Sequence, residues 1–240
     1  MRANVAGHAN VMANNTAKQS LAYYSSVRTE IEGLLPESID SILEIGCGAG
    51  STMAWIRSTR AVNYAAGVEI NATAGAVARQ IFDSVEIGSI DNASFPFAAG
   101  KFDVILALDV LEHLPSPDCT IRMLRSKLLP GGRLIASIPN VANYSVSWPL
   151  FLRGRWDYAD EGHLDRTHLR FFDRNGAISL FIEAGFTIDK IETTKKCPNV
   201  FGIFGWNTPN ARWYSRKLLA HVLPSHMCDS QFIIVGRPFL

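Results

Sequence analysis

The chain has 240 residues, 48% of them hydrophobic and 19% charged, and its 23 basic residues nearly balance 22 acidic ones. The hydrophobic share excludes a disordered chain, and the near-neutral charge argues against a general nucleic-acid-binding protein. No apolar run approaches the roughly 20 residues that span a bilayer. The composition therefore predicts a soluble globular protein of one domain.

The N-terminal segment and the cysteines favour a cytoplasmic protein. Residues 1–20 are polar, rich in Ala and Asn, and lack the charged start and apolar stretch of a secretory signal, which predicts a flexible lead-in. The cysteines show no CxxC pair and no Cys/His cluster at zinc spacing. We therefore expect reduced thiols and no metal site. The cysteines are Cys47, Cys119, Cys197 and Cys228.

Short apolar runs alternate with segments of helical period along the first 140 residues. Lys18–Leu35, ahead of the first strand, is predicted to be a helix that Pro36 ends. The predicted strands are Ser41–Gly46, Tyr64–Ile70, Ser84–Ile87, Phe102–Asp109 and Arg133–Ile138. The helices predicted between them are Thr52–Ser58, Ala72–Phe82 and Pro117–Leu129. Strands that are apolar on both faces and alternate with helices predict a doubly wound, mostly parallel sheet with helices on both faces.

The second half of the chain is less regular. Asn140–Arg155 has weak periodicity, and Gly154–Arg174 is crowded with charge. A helix is predicted at Arg174–Ala184, followed by strands at Phe186–Thr193 and Gln231–Val235. The total is seven strands in an α/β fold, and residues 21–240 are predicted to form a single domain. Insertions at about 141–173 and 196–224 are expected to border the site, the second with one helix.

The strongest motif is the strand-to-helix turn LEIGCGAG, residues 43–50. Glycines at alternate positions let the backbone turn tightly and approach a ligand. Glu69 ends the second strand nineteen residues after Gly50, where an acid can accept two hydrogen bonds from a ribose diol. A nicotinamide dinucleotide site would share this geometry. However, Ser51 stands where GxGxxG requires its last Gly, and Glu44 would repel a pyrophosphate but suits a cationic ligand.

From about Tyr23 to Phe186 the chain resembles the class I S-adenosylmethionine-dependent methyltransferases. The resemblance rests on four motifs in order: LEIGCGAG, GVEI, FDVILALDVLEHLPSP and LLPGGRLIASIPN. It implies a Rossmann-like methyltransferase fold whose last two strands form an antiparallel hairpin. A further segment, GRWDY with EGHLDRTHLRFF, is similar to one in a bacterial subgroup. That subgroup resembles the methyltransferases of ubiquinone, methionine and cell-surface glycan pathways.

The resemblance implies S-adenosylmethionine as the cofactor, with S-adenosylhomocysteine as product. The turn would pass under its methionyl and ribose parts, Glu44 would lie near the ammonium group, and Glu69 would bind the ribose hydroxyls. The residues of the turn are Gly46, Cys47, Gly48 and Gly50. Asp109 would lie beside the methionyl group. Tyr24 and Arg28 would close over the site and pair with the cofactor carboxylate, with ordinary helix-surface roles as their alternative.

Ile70 would lie against the adenine face. The family places an Asp after the third strand to accept from the adenine amino group, but this chain has Ser89, Ile90 and Asp91 there. Either Ser89 makes a weaker neutral hydrogen bond or Asp91 reaches in.

A hydroxyl acceptor needs a base, and histidine is the usual choice. The catalytic candidates are His113, with a loop-shaping hydrogen bond as its alternative role, and His168. Arg166 and Arg170 flank His168 and would depress its pKa, favouring the neutral form. The alternative for His168 is an ion-pair network with Asp165 and Asp173. His163 is a third histidine in the same segment.

Two groups near residue 155 suggest contacts with an acceptor. The arginines of the charged segment could bind a sugar phosphate or nucleotide sugar. They are Arg153, Arg155, Arg166 and Arg170. An aromatic and apolar group could line an acceptor pocket, cover a homodimer interface, touch a lipid-linked substrate or belong to the core. Its members are Trp148, Phe151, Leu152 and Trp156.

The leading hypothesis is methyl transfer to a small-molecule, sugar or nucleotide-sugar acceptor at oxygen, with no nucleic-acid partner. A non-catalytic cofactor-binding regulatory or partner protein that keeps the fold is the alternative. A third hypothesis, that the chain is a nicotinamide oxidoreductase, rests on the glycines and Glu69 alone.

Overall fold

The computed structural model describes residues 21, 23–90, 97–195 and 224–239. Within them, seven strands form one sheet in the order β3-β2-β1-β4-β5-β7-β6. All neighbouring strands pair in parallel except β7, which runs antiparallel to β5 and β6. The predicted doubly wound, seven-stranded α/β fold with an antiparallel last hairpin is confirmed. No helix among the described residues is long and apolar enough to cross a membrane.

The strands match the predicted ones within three residues at each end, except that the fifth begins five residues earlier than predicted. They are β1 Ser38–Ile45, β2 Ala61–Glu69, β3 Ser84–Ile87, β4 Phe102–Leu108, β5 Leu128–Pro139, β6 Phe186–Lys195 and β7 Asp229–Pro238. The α-helices are α1 Ser51–Thr59, α2 Ala72–Ala78, α3 Pro117–Arg125, α4 Tyr144–Arg153 and α5 Arg174–Glu183. Short 3-10 turns occupy Tyr23–Ser25, Thr29–Leu34, Leu111–His113 and Ser225–Met227.

The prediction of one helix over Lys18–Leu35 is wrong for its described part. Two 3-10 turns stand there, separated at residues 26–28. Tertiary hydrogen bonds take up the backbone groups that a helix would use. The Tyr24 carbonyl accepts from the Ala49 N–H at 2.8 Å, and the Arg28 N–H donates to Thr52 Oγ1 at 3.2 Å.

Two helices end earlier than predicted, and one was missed. α2 stops at Ala78, and α3 stops at Arg125 because Leu128 already pairs with β4. The missed helix, α4, begins after Asn143, whose side chain accepts from the Ser145 N–H, and ends at a left-handed Gly154. Its weak apolar periodicity reflects its exposure: of its side chains, only Val146 is buried.

The core fills both faces of the sheet. One face packs against Ile31 of an N-terminal turn and against Met53 and Ile56 of α1. The other packs against Ile121 of α3 and Phe181 of α5. The flanking helices leave the carboxyl ends of the parallel strands available for a site, as in other open α/β sheets. The predicted lead-in at 1–20, Asp91, and all but the last residue of the predicted insertion at 196–224 lie outside the described residues.

Candidate functional site

The turn after β1 is shaped by three glycines in the left-handed region, where φ is +67° at Gly46, +55° at Gly48 and +88° at Gly50. Side chains there would meet protein atoms. A Cβ at Gly46 would lie 2.6 Å from Val110 Cγ2, and one at Gly48 would lie 2.5 Å from the Tyr24 carbonyl oxygen. The glycines therefore let the N-terminal segment and the loop after β4 press against the turn.

Glu69, at the end of β2, is tied to the turn by its carboxylate. Oε2 accepts from the Gly48 N–H and Oε1 from the Asn71 N–H, both at 2.8 Å. The side chain is 3% exposed, and burial raises its pKa against the lowering effect of these backbone bonds. A carboxylate offers about four acceptor positions, so Glu69 keeps capacity for a further hydroxyl donor.

Glu44 lies on β1 with its carboxyl group buried and 4% exposed. Its Oε2 has no hydrogen-bond partner among the described residues. Burial and the neighbouring Glu69 raise the pKa of Glu44 to about 8, while Arg28 opposes the shift. A cation placed beside this group would relieve both the burial cost and the repulsion.

Cys47 offers only its backbone to a ligand. Its side chain is 4% exposed and points at β2, where a Cβ on Gly67 would lie 2.8 Å from Sγ. Burial raises the pKa of this thiol, with Glu44 and Glu69 adding to the effect. A neutral, packed thiol is not reactive.

Arg28 and Asp109 form an ion pair across the opening of the site. The guanidinium also contacts Glu30 at 2.5 Å and the Gln231 Oε1 at 3.2 Å. Oδ1 of Asp109 accepts from Ser137 Oγ at 2.7 Å and from Gln231 Nε2 at 2.8 Å. Arg28 is thus engaged within the protein, and pairing with a ligand carboxylate would require it to share or exchange Asp109.

The predicted adenine-side residues follow β2 and β3. The Gly88 N–H donates to the Glu69 carbonyl at 2.8 Å, which joins the two strand ends. Ile70 and Ser89 are half-buried, whereas the Ile90 side chain is 8% exposed and packs in the apolar core. Ile90 therefore supports the site from below. Tyr24 is half-buried and stacks edge-on with Tyr23 at 5.2 Å.

His113 and His168 lie together although 55 residues separate them in sequence. Their ring centroids are 4.7 Å apart in a T-shaped arrangement. Burial lowers the pKa of both, and His113 lowers that of His168 further. The predicted direction for His168 is right but its predicted cause is wrong, because Arg166 pairs with Asp160 and Arg170 donates to the Pro115 carbonyl.

The predicted ion-pair network with Asp165 and Asp173 is also wrong. Asp165 is 3% exposed and accepts from the N–H and hydroxyl of Thr167 at 2.7 and 2.6 Å. Asp173 caps α5 by accepting from the Gly176 N–H at 2.7 Å. Both carboxylates hold the backbone in shape.

The aromatic group of residues 148–156 does not form one cluster. Trp148 stacks with Tyr144, and Trp156 stacks with Phe171. Phe151 is 86% exposed, so a core role is wrong for it.

Glu112 was missed as a site residue. It precedes His113, is 1% exposed, and has neither carboxylate oxygen hydrogen-bonded among the described residues. Adjacency of Glu112 to His113 was visible in the sequence, but its contact with a distant segment was not: the N–H groups of Leu169 and Arg170 donate to the Glu112 carbonyl at 2.8 and 3.0 Å. Gln231 was missed because it meets Asp109 across 122 positions.

Comparisons with known proteins agree with this architecture. A profile of the family "Methyltransferase domain" matches residues 17–191. Methyltransferase GfsG of Streptomyces halstedii is 35% identical over 98 residues, 39% of this chain and 35% of that protein. A ubiquinone biosynthesis O-methyltransferase of Aromatoleum aromaticum is 32% identical over 104 residues, 41% of this chain and 44% of that protein. The chain thus aligns with less than half the length of these two relatives.

A solved S-adenosylmethionine-dependent methyltransferase from Archaeoglobus fulgidus has a TM-score of 0.64, covering 95% of this chain and 98% of its own at 14% identity. That likeness shows the fold alone, whereas the family profile spans more than half of the chain. The predicted family and its cofactor are therefore confirmed. The chain belongs to the class I S-adenosylmethionine-dependent methyltransferases.

Proposed function

We propose that the chain transfers a methyl group from S-adenosylmethionine to a hydroxyl oxygen of a small-molecule or sugar acceptor. The observation that carries the proposal is the pair of buried carboxyl groups around the glycine turn. Glu69 keeps acceptor capacity for a further hydroxyl donor, and Glu44 has an unpaired buried oxygen suited to an ammonium group. A ribose and an α-amino group are the two polar parts of this cofactor that such a pair would recognise.

The residues present fit the cofactor. Glu69 would bind the ribose and Glu44 the ammonium group, with the backbone of Gly46–Gly50 beneath them. Ile70 and Ser89 would border the adenine, with Ile90 behind them and Asp91 adjacent in sequence. Tyr24, Arg28 and Asp109 would close the methionyl end. When bound, the cofactor supplies a methyl group on a sulfonium, which is a good leaving group, so the protein has only to align the acceptor and exclude water.

Support for an oxygen acceptor comes from two directions. The Aromatoleum relative is an O-methyltransferase of ubiquinone biosynthesis. In this chain, His113 lies in the 3-10 turn that follows Asp109, and His168 packs against it. Burial lowers the pKa of both and favours their neutral forms, so they could take up the proton of an acceptor hydroxyl. The arginines are less suited to an anionic acceptor than expected, since Arg155 and Arg166 pair with Asp157 and Asp160.

The test is cofactor binding followed by methyl transfer. Calorimetry with S-adenosylhomocysteine should give equimolar binding, and NADH should give none. A panel of phenols, polyols and nucleotide sugars, incubated with S-adenosylmethionine carrying a deuterated methyl group, should yield one product with the labelled methyl on oxygen. Cofactor binding with no transfer across the panel would favour the non-catalytic alternative, and no binding of either cofactor form would refute the proposal.

A further inference from the structure

The structure holds a cluster of three possible metal ligands, two on the loop after β4 and one on the segment between α4 and α5. Ligand atoms from Glu112, His113 and His168 all lie within 4.8 Å of one another. We propose that this cluster binds one divalent transition-metal cation, through a Glu112 oxygen and a ring nitrogen of each histidine. Two imidazoles and one carboxylate make a donor set that suits Zn²⁺ and related ions and leaves coordination positions open.

The tautomers of His113 and His168 leave the Nε2 lone pair of each ring available to bind a cation. Nδ1 of His113 faces the Thr167 carbonyl oxygen at 3.2 Å, and Nδ1 of His168 faces the His163 carbonyl oxygen at 3.1 Å. A carbonyl oxygen only accepts, so each Nδ1 carries the proton and each Nε2 has a free lone pair. Metal-binding histidines characteristically donate their other ring N–H to a carbonyl or carboxylate in this way.

Glu112 is the group that needs a cation. Its side chain is 1% exposed, and both carboxylate oxygens lack hydrogen-bond partners in the described part of the chain. The nearest opposing group is Nε2 of His168, 4.0 Å from Oε1. A buried carboxylate without donors is strongly destabilising unless it is protonated or neutralised by a bound cation.

The ligand atoms lie slightly farther apart than in a bound site. Two ligand atoms about 2.1 Å from a tetrahedral cation are roughly 3.4 Å apart. The 4.0 Å between Glu112 Oε1 and His168 Nε2 would have to shorten by about 0.6 Å, and a separation at the 4.8 Å limit of the cluster by about 1.4 Å, which side-chain torsions can supply.

A chain of hydrogen bonds fixes the orientation of His113. The Thr167 hydroxyl donates to Asp165 Oδ1 at 2.6 Å and lies 3.0 Å from Nδ1 of His113. Since the hydroxyl proton goes to Asp165, its oxygen accepts from His113. Thr167 and Asp165 are positioning residues that raise the basicity of the imidazole and hold its lone pair toward Glu112.

The consequence for catalysis rests on the proposed function. The His113 N–H donates to the Val110 carbonyl at 3.0 Å, and the Val110 side chain packs against Gly46 of the glycine turn. A cation beside His113 would hold the acceptor hydroxyl and lower its pKa, so that no histidine need act as free base. The proton would pass to solvent water, and the oxygen would then attack the methyl carbon while the C–S bond breaks and its electron pair stays on sulfur.

The experiment uses the full chain, stripped with chelator, and two probes. Co²⁺ titration followed by visible absorption and Zn²⁺ competition should give one site per chain. Glu112→Gln, His113→Gln and His168→Gln should each weaken Zn²⁺ binding by about 100-fold or more, and Thr167→Val by about 10-fold. His226→Gln, which changes an exposed histidine outside the cluster, should bind as the wild type does.

Melting temperature separates lost binding from lost folding. Zn²⁺ should raise the Tm of the wild type and of His226→Gln but not of Glu112→Gln. In chelator Glu112→Gln should melt no lower than the wild type, because the amide keeps the size and shape of a carboxyl group that has no hydrogen-bond donor to lose among the described residues. Absence of a saturable equimolar site, or unchanged binding in the three cluster variants, would overturn the inference. Binding of S-adenosylhomocysteine, measured on the same samples, distinguishes the two proposals. If the chain binds this ligand but no metal, only the cation site is refuted.

Discussion

The Gly48 N–H donates to Oε2 of Glu69 at 2.8 Å, so the glycine turn after β1 and the acid ending β2 form one unit. The other oxygen of Glu69 accepts from the Asn71 N–H, at the cap of α2. Because both donors are backbone groups, the carboxylate is held in one orientation before any ligand arrives. Preorganisation of this kind lowers the cost of ordering on binding.

Replacing Glu69 with Gln should weaken both ligand binding and the fold. The amide keeps the shape but presents N–H₂ where one backbone N–H now donates, so one buried donor loses its partner. We expect the affinity for S-adenosylhomocysteine and the free energy of unfolding each to fall by about 1–3 kcal/mol. Calorimetry and urea unfolding measure the two effects.

Glu86→Gln is the matched control, since Glu86 lies on β3 with its side chain exposed. This variant should leave both the affinity for S-adenosylhomocysteine and the free energy of unfolding unchanged. The ligand 5′-methylthioadenosine, which has the ribose but no amino-acid part, should lose affinity for Glu69→Gln to the same degree. Unchanged binding of both ligands would remove Glu69 from the ribose site.

Arg28→Gln tests the methionyl end. If Arg28 shares its charge between Asp109 and the ligand carboxylate, S-adenosylhomocysteine should bind about 10-fold more weakly, because a charge-assisted hydrogen bond is lost. Binding of 5′-methylthioadenosine should not change. Equal losses for both ligands would mean that Arg28 acts only by holding the N-terminal segment in place.

Arg57→Gln gives the comparison, because Arg57 also pairs with a carboxylate, that of Asp83, but on the outer part of α1. It should leave the affinities for both ligands unchanged. Any difference between the two arginine variants in ligand preference therefore reports on the site and not on the loss of an ion pair as such.

The sheet could be predicted because each strand has its own apolar pattern, while much of the site depends on contacts between distant segments. Glycine spacing and Glu69 were visible in one stretch of sequence. The ion pair of Arg28 with Asp109 was not, since 81 positions separate them and both have other partners. The prediction of a helix in the N-terminal segment was wrong for the same reason. Hydrogen bonds of the segment's backbone, from the Ala49 N–H and to the Thr52 hydroxyl, outweigh its local helix propensity.

Gly48→Ala should disturb the N-terminal segment. The methyl group would meet the Tyr24 carbonyl oxygen at 2.5 Å, so the hydrogen bond from the Ala49 N–H to that oxygen has to lengthen or break. Gly100→Ala is the matched control: its φ is +60°, close to the +55° of Gly48, but its Cβ would meet nothing within 4 Å. Backbone strain alone costs about 1–2 kcal/mol at either position.

Urea unfolding of the two variants separates the cost of backbone strain from the cost of the clash with the Tyr24 carbonyl. Gly100→Ala should show the strain cost only, with unchanged S-adenosylhomocysteine affinity. Gly48→Ala should be less stable than Gly100→Ala and should bind the ligand more weakly. Equal stability of the two variants would show that Tyr24 moves away without cost.

The raised pKa of Glu44 predicts how stability depends on pH. Its folded value of about 8 lies above the ordinary 4.5, so between these pH values the folded chain retains a proton that the unfolded chain releases. This contribution is fully present below pH 4.5 and is lost as the pH rises toward 8, by about 1.4 kcal/mol per unit. Glu44→Gln should abolish that loss.

Urea unfolding at pH 5.5 and 7.5 measures the effect. The wild type should lose about 2 kcal/mol more than Glu44→Gln between the two conditions. Any pH dependence of the free energy of unfolding that remains in Glu44→Gln comes from other groups, including Glu69, whose pKa is also raised by burial. Parallel pH dependences would mean that Glu44 ionises normally in the folded protein.

Ligand binding should release the Glu44 proton. An ammonium group beside the carboxyl favours its charged form, so binding of S-adenosylhomocysteine at pH 7 should lower its pKa and pass a proton to the buffer. Calorimetry in buffers of different ionisation enthalpy counts that proton. The count should vanish for Glu44→Gln and for 5′-methylthioadenosine, which has no ammonium group. The same count for both ligands would place the ammonium group away from Glu44.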